Sequence, residues 1–408
     1  MTQPRHGQND REVVVTGLGV VSPYGRGYQR YWQGLAQGQC AIQAISLFPT
    51  DGFRSQIGGE MHADTVRALG VAHQSRANRF VVAAGEEAVH DAALCPEDLA
   101  TAAVSVGGAG GGMLEMEAWY EQCYTQQDTR RGRPALRTML PAAQTATLAH
   151  HFRIGGPQES PILACSSSAA AITTVADLIE TGVVDVGLAG GVDTLTRICF
   201  MGFNALKLLD PQPCRPFARD RRGMSIGEGA AVLVLESRRH AITRGASIRA
   251  SVAGCGITSD AFHPTAPPTD GEGAVRAMRE ALARAHVNPD DITYVNAHGT
   301  GTIQNDRAEA AALEQVFGAG RILVSSTKSL IGHTMGAAGA MEATATILAL
   351  QAGVLPPTAN LLEPDPTIPF DCIPQVARPY TLDCAMSNSF GFGGQNVSLI
   401  FRHPDGTP

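Results

Sequence analysis

The chain has 408 residues, 44% of them apolar, enough for a sizeable core in one large domain or two intimately fused ones. A formal net charge of −7 argues against general nucleic-acid binding, which needs a basic field, but leaves room for a local basic patch facing an acidic protein. Nine cysteines, odd in number and without a CxxC pair, argue against a disulfide framework or structural zinc site and for a reducing compartment. Met1 to Arg11 is polar and lacks the apolar core of a signal peptide, and no run reaches the roughly 18 apolar residues of a membrane span, so a cytoplasmic protein without membrane contact is expected.

In chain order, Glu12 to Val21 reads as a buried strand leaving into a turn at Gly17-Leu18-Gly19. Ala77 to Ala92 reads as a helix, and Ala102 to Val106 as a strand running into the glycine-rich segment 107–112. The apolar run Ile162-Leu163-Ala164 leads to Cys165 and then to a small-residue helix, Ala170 to Thr181, closed by Gly182. Val184 to Gly191 and Ala230 to Glu236 are further buried strands. A second series follows: strand Ile248 to Gly256, helix Glu272 to His286, strands Ile292 to Asn296 and Ile322 to Ser325, and an Ala-rich helix from Gly336 to Gly353. Ala385 to Ser389 and Asn396 to Phe401 are closing strands. Ile162–Thr181 and Leu323–Gly353 share one plan: strand, reactive polar residue, Ala-rich helix. An internal duplication is inferred, with halves 1–246 and 247–408. Alternating strands and helices imply parallel sheets covered by helices, in a layered α/β/α/β/α sandwich.

Three segments carry candidate chemistry. Cys165 stands where a helix N-terminus would lower a thiol pKa; its bland alternative is a buried structural cysteine. His298 follows a buried strand and enters Gly299-Thr300-Gly301-Thr302, where glycines admit a ligand and hydroxyls offer hydrogen bonds. His333 lies in the run from Lys328 to Gly339, where Lys328 precedes a largely apolar segment and needs a partner, with Glu342 as candidate. Gly391-Phe392-Gly393-Gly394 reads either as a glycine-rich hairpin turn or as a gate whose backbone N–H groups line an oxyanion hole.

Val15 to Gly19, Ala164 to Ser168, Cys214 to Phe217, Gly227-Glu228-Gly229, Asn296 to Thr302, Lys328 to Gly339 and Asn388 to Asn396 together resemble the decarboxylating β-ketoacyl-acyl-carrier-protein synthases of fatty acid and type II polyketide assembly. The resemblance spans nearly the whole chain in order. It implies a thiolase-type fold, normally dimeric: a homodimer, or a heterodimer with a ketosynthase-like chain-length subunit. It implies Cys165 as acyl-accepting nucleophile, and His298 and His333 as the pair assisting decarboxylation of malonyl-carrier protein. Lys328 with Glu342 would set the site's electrostatics. The N–H groups of Cys165 and Phe392 would form the oxyanion hole, with Phe392 the gate. Thr300 and Thr302 would bind the phosphopantetheine arm of the acyl carrier protein, and Phe203, Gly391 and Gly393 would line the substrate site. Lys207 would dock the acidic carrier, with Arg215, Arg219, Arg221 and Arg222 nearby. No metal or redox cofactor is implied.

The chain departs from the fatty-acid pattern in its triple serine after Cys165, in Ile303-Gln304-Asn305-Asp306 where a proline version is usual, and in Gln395 where Thr is common. Gly110 stands where those enzymes often carry a bulky aliphatic, which implies a differently shaped acyl pocket, and Leu114 to Ala143 matches weakly. A thiolase would use a second cysteine as base, but Cys384 lies outside the closing motif. A non-catalytic partner subunit would lack the nucleophile. A hydrolase would need a GxSxG elbow, and glycines 107–112 do not fit a dinucleotide fingerprint.

Overall fold

The computed structural model describes residues 11–70, 75–126 and 136–404. The polar N-terminal segment thus lies outside the described residues up to position 10, as do residues 127–135 of the weakly matching stretch. The strands used below are β1 Val13–Ser22, β2 Ala103–Gly107, β3 Gln158–Glu159, β4 Val186–Asp193, β5 Gly229–Ser237, β6 Ala250–Ser259, β7 Tyr294–Asn296, β8 Leu323–Ser325, β9 Cys384–Gly391 and β10 Gln395–Arg402. The helices are α1 Arg76–Ala92, α2 Met113–Gln126, α3 Ala143–Phe152, α4 Ser167–Glu180, α5 Arg197–Ala205, α6 Glu272–Ala285, α7 Ile303–Phe317 and α8 Ala338–Ala352.

The strands run β8-β7-β9-β10-β6-β1-β5-β4-β2-β3. Read outward from the β1–β6 junction, each half repeats one order: its first strand, then its fifth, fourth, second and third. The pair types repeat as well. β1–β5, β5–β4, β6–β10 and β10–β9 are antiparallel, while β4–β2, β2–β3, β9–β7 and β7–β8 are parallel. The halves join through a short antiparallel contact, Val14 opposite Ser251 and Val15 opposite Ala250. The sheets are therefore mixed, not parallel throughout as expected. The antiparallel pair β9–β10 is closed by a tight turn and needs no crossover helix.

Five layers follow from packing. Helix α1 covers β1 and β5, with α3 beside it; α6 covers β6 and β10, with α7 behind. Helices α4 and α8 pack between the sheets and against each other. Helix α8 is buried from Ala338 to Leu350, which explains its run of alanines and its lack of a polar face.

Two local expectations change. Gly17 and Gly19 lie inside β1 rather than in a turn, because α1 crosses too closely for side chains: a Cβ on Gly19 would stand 1.9 Å from the Ala84 carbonyl. The residues before Cys165 are not a buried strand. Only Gln158–Glu159 pair with β2, and Ile162 is exposed.

Candidate active site

Cys165 sits in a single 3₁₀ turn, Ala164–Ser166, that feeds α4. Ala164 is held at φ 47°, a conformation that costs a non-glycine residue roughly 1–2 kcal/mol. The second half repeats the device. Met335, at φ 49°, opens the turn Met335–Ala337 that feeds α8. Two helix N-termini, one from each half, thus stand side by side at the centre of the molecule, with Gly339 packed against Ala169.

One cavity, about 670 Å³ of empty space, is lined by Cys165, His298, His333, Phe203, Thr300, Thr302, Phe390, Gly391 and Phe392 among others. The two imidazoles lie edge to face, ring centroids 5.3 Å apart. Lys328 Nζ donates to His298 Nδ1 at 3.3 Å, and the Met335 backbone N–H donates to His333 Nδ1 at 3.2 Å. Each Nδ1 is therefore an acceptor, so in each neutral ring the hydrogen resides on Nε2. His333 Nε2 is buried and has no partner among the described residues. Burial, with the Lys328 charge, holds both imidazoles well below the usual histidine range, so both are neutral near pH 7.

Lys328 also binds Glu342 Oε1, and both are buried. Burial pushes the Glu342 carboxyl up to about 7, against the pull of the Lys328 ammonium. The Cys165 thiol is pushed up to about 11 by burial; Lys328 and the Phe392 backbone N–H oppose this, while Asp193 and Glu342 add to it. Burial is the largest of these influences, and it favours the thiol over the thiolate. The Phe392 N–H facing this sulfur is the geometry expected of one oxyanion donor. Gly391 comes so close that a Cβ there would lie 3.2 Å from the Cys165 nitrogen.

The remaining candidates fall into place around this centre. Thr300 and Thr302 hydroxyls are 2.9 Å apart on the cavity wall, and the Phe203 ring lies 6.1 Å from that of Phe392. Gly393 is outside the lining and is left-handed at φ 83°, with open space where a Cβ would be. Gly110 is also outside the lining; its N–H is bound by Asp193. Lys207 is exposed at the end of α5, its carbonyl accepting from the exposed Arg54 at 3.1 Å. Arg215 and Arg221 are buried against Asp210, Asp306 and Asp365, so they belong to the interior rather than to a docking surface. Arg219 pairs with Glu363, and Arg222 is exposed.

Three buried carboxylates escaped the sequence reading. Glu309 accepts from the backbone N–H groups of His298 and Gly299, and Asp306 from those of Phe217 and Gly301. Asp193 ties down residues 109–111 and Gly336. The available signal was a carboxylate ending an apolar strand or facing inward on an Ala-rich helix, where an unpaired charge would be expensive.

Residues 10–241 match the family described as "Beta-ketoacyl synthase, N-terminal domain", and residues 249–362 its C-terminal domain. The chain belongs to the β-ketoacyl synthase family. This synthase is 41% identical to a 3-oxoacyl-[acyl-carrier-protein] synthase 2 of Rhizobium meliloti (strain 1021), covering 97% of this chain and all of that one. It is 38% identical to nodulation protein E of Rhizobium sp. (strain N33), over 96% and 99% of the two chains. Among solved structures, the ishigamide ketosynthase/chain length factor superposes with a TM-score of 0.92 at 36% identity, covering 97% of this synthase and 99% of that chain. The synthase thus has the five-layered thiolase-type fold of ketosynthases.

Proposed function

We propose that this synthase carries out decarboxylative Claisen condensation on Cys165, with His298 and His333 as the decarboxylation pair and substrates delivered on an acyl carrier protein. The observation that carries the reading is the pair of occupied Nδ1 atoms. They leave two Nε2–H donors for a cavity that also holds the thiol.

The chemistry follows atom by atom. The Cys165 sulfur attacks the acyl thioester carbonyl; the carbon–sulfur bond to the carrier breaks, and the carrier thiol leaves with the proton. Malonyl-carrier protein then loses carbon dioxide, and the electron pair remains as an enolate whose oxygen accepts from both imidazoles. Neutral donors serve here without surrendering a proton. The enolate carbon attacks the acyl-Cys165 carbonyl, whose developing oxyanion faces the Phe392 and Cys165 N–H groups. The cysteine sulfur is expelled as thiolate and takes up a proton from solvent, as its raised pKa favours. Thr300 and Thr302 offer hydroxyls to the amide-bearing arm, Phe203 and Gly391 line its passage beside the Phe392 gate, and Lys328 with Glu342 fixes His298. Residues 1–246 form the nucleophile half and 247–408 the half bearing both histidines and the gate.

A ketosynthase-like partner subunit is the favoured assembly, supported by the likeness to the ishigamide ketosynthase/chain length factor. Helix α2 also exposes Tyr120 and Tyr124, and none of its residues is buried among the described residues.

Intact-mass spectrometry tests the reading. Acyl-carrier protein should add one acyl mass to the wild type and none to Cys165→Ala. His333→Ala should still acylate but lose condensation by about 10²–10³-fold, the effect of removing one oxyanion donor. Equal acylation of Cys165→Ala would overturn the assignment.

A further inference from the structure

Asp193, the last residue of β4, is fully buried and has no side-chain cation against it among the described residues, yet it is the hub of a four-donor cluster. Its Oδ1 accepts from Gly110 N–H at 2.6 Å, with the Gly111 N–H at 3.3 Å; Ala109 N–H reaches Oδ2 at 3.0 Å. Oδ2 also accepts from Gly336 N–H at 2.6 Å. The first three donors belong to the glycine-rich loop after β2. The fourth belongs to the other half, in the turn that opens α8, one residue beyond Met335, whose own N–H fixes His333. The contact is tight. A Cβ on Gly336 would lie 2.7 Å from both Gly108 Cα and Asp193 Oδ2. The base of the same loop rests on α4 beside the nucleophile: a Cβ on Gly107 would lie 2.3 Å from the Ser167 carbonyl carbon.

One carboxylate thus ties the loop lying against the Cys165 helix to the turn that orients His333. We propose that Asp193 is a positioning residue that couples acyl occupancy at Cys165 to the orientation of His333, keeping decarboxylation in step with acyl loading. The inference rests on the roles proposed above for Cys165 and His333. Asparagine cannot replace the hub, because its NH₂ would face backbone donors and leave them unpaired. Burial raises the Asp193 carboxyl to about 6, against its four backbone donors, so it is ionised where the thiol titrates. Among the described residues, Lys328, Asp193 and Glu342 are charged groups acting on Cys165, with neutral His298 and His333 in the same cavity; Cys199 also feels Asp193.

The test is Asp193→Asn in the full-length protein, with three readouts. Condensation should fall by about tenfold or more with the KM for malonyl-carrier protein changed by less than about twofold, as expected for misplacement rather than lost binding. Residual decarboxylation should no longer respond to acylation of Cys165. The pH midpoint of Cys165 alkylation by iodoacetamide should drop by about half a unit or more, because an anion beside the thiolate is removed. Condensation within about threefold of wild type, or decarboxylation that still follows acylation, would overturn the proposal. Should the variant not fold, hydrogen exchange on the wild type decides. Alkylating Cys165 should slow exchange in the peptides containing 109–111 and Gly336 together; a change confined to 109–111 overturns the coupling. The alkylation and exchange readouts need no turnover, so a wild type that failed to condense would strike the proposed function alone.

Discussion

Cys165 and Lys328 show how burial sets the chemistry of single residues. A thiol at a helix N-terminus invites the expectation of a ready thiolate, but desolvation dominates in this interior and the sulfur stays protonated. The charged form is the anion and burial disfavours it, so the thiolate fraction rises with pH and reaches one half at about 11. The alkylation rate of wild-type Cys165 should therefore climb about tenfold per pH unit from 7 to 10, as thiolate reactivity requires; a plateau near pH 8 would contradict the burial argument. Lys328 and Glu342 offer a second test. Removing one member of a buried pair strands the other charge and costs roughly 3–5 kcal/mol, whereas removing both with shape-matched neutral groups costs far less. Lys328→Met should lower the urea midpoint sharply, and Lys328→Met with Glu342→Gln should restore much of it. Neither should recover decarboxylation, because His298 Nδ1 has lost its donor.

At the level of elements, close approach explains why small residues concentrate where they do. β1 carries Gly17 and Gly19 because α1 lies directly on it, its Ala84 and Ala88 carbonyls filling the space a side chain would need. Gly19→Val should cost about 3 kcal/mol or more by overpacking, read as a lower urea midpoint with the m-value unchanged. A variant as stable as wild type would mean the helix can shift outward. The same logic runs through the two helices at the centre. Both begin with a left-handed residue and a 3₁₀ turn, and the two first turns pack against each other, with Cys165 of the first lining the cavity. One half supplies the sulfur there, and the other turns its backbone toward His333.

Over the whole molecule, the duplicated strand order sets the two half-sites face to face, and the charge distribution sets how a substrate carrier meets them. The protein is acidic overall, so attraction of an acidic carrier depends on a local patch. Lys207 and Arg54 are exposed together next to Leu208, which lines the cavity. Lys207→Glu should lower kcat/KM for carrier-bound substrate by about tenfold at low salt and leave a small thioester substrate unaffected. The difference should shrink as salt shortens the Debye length toward about 3 Å near 1 M. Stopped-flow association rates across a salt series read this directly, and an unchanged rate at low salt would remove Lys207 from the docking surface.

The sequence alone carried the order of elements, the repeated strand-and-helix plan and the candidate reactive residues, because each is written locally. Apolar runs such as Val232 to Leu235 mark buried strands, and Cys165, His298 and His333 each stand in small-residue surroundings that admit a ligand. Strand direction was not local: the mixed sheets arise from pairings such as β5 with β1, whose residues lie more than 200 positions apart. The same separation hid the state of the thiol, because desolvation is contributed by every neighbour in space. It also hid Asp193, whose importance lies in four backbone N–H groups from two distant segments and in no motif of its own. Tertiary structure alone decided these points, because burial and hydrogen-bond geometry depend on what surrounds a group and not on what precedes it in the chain.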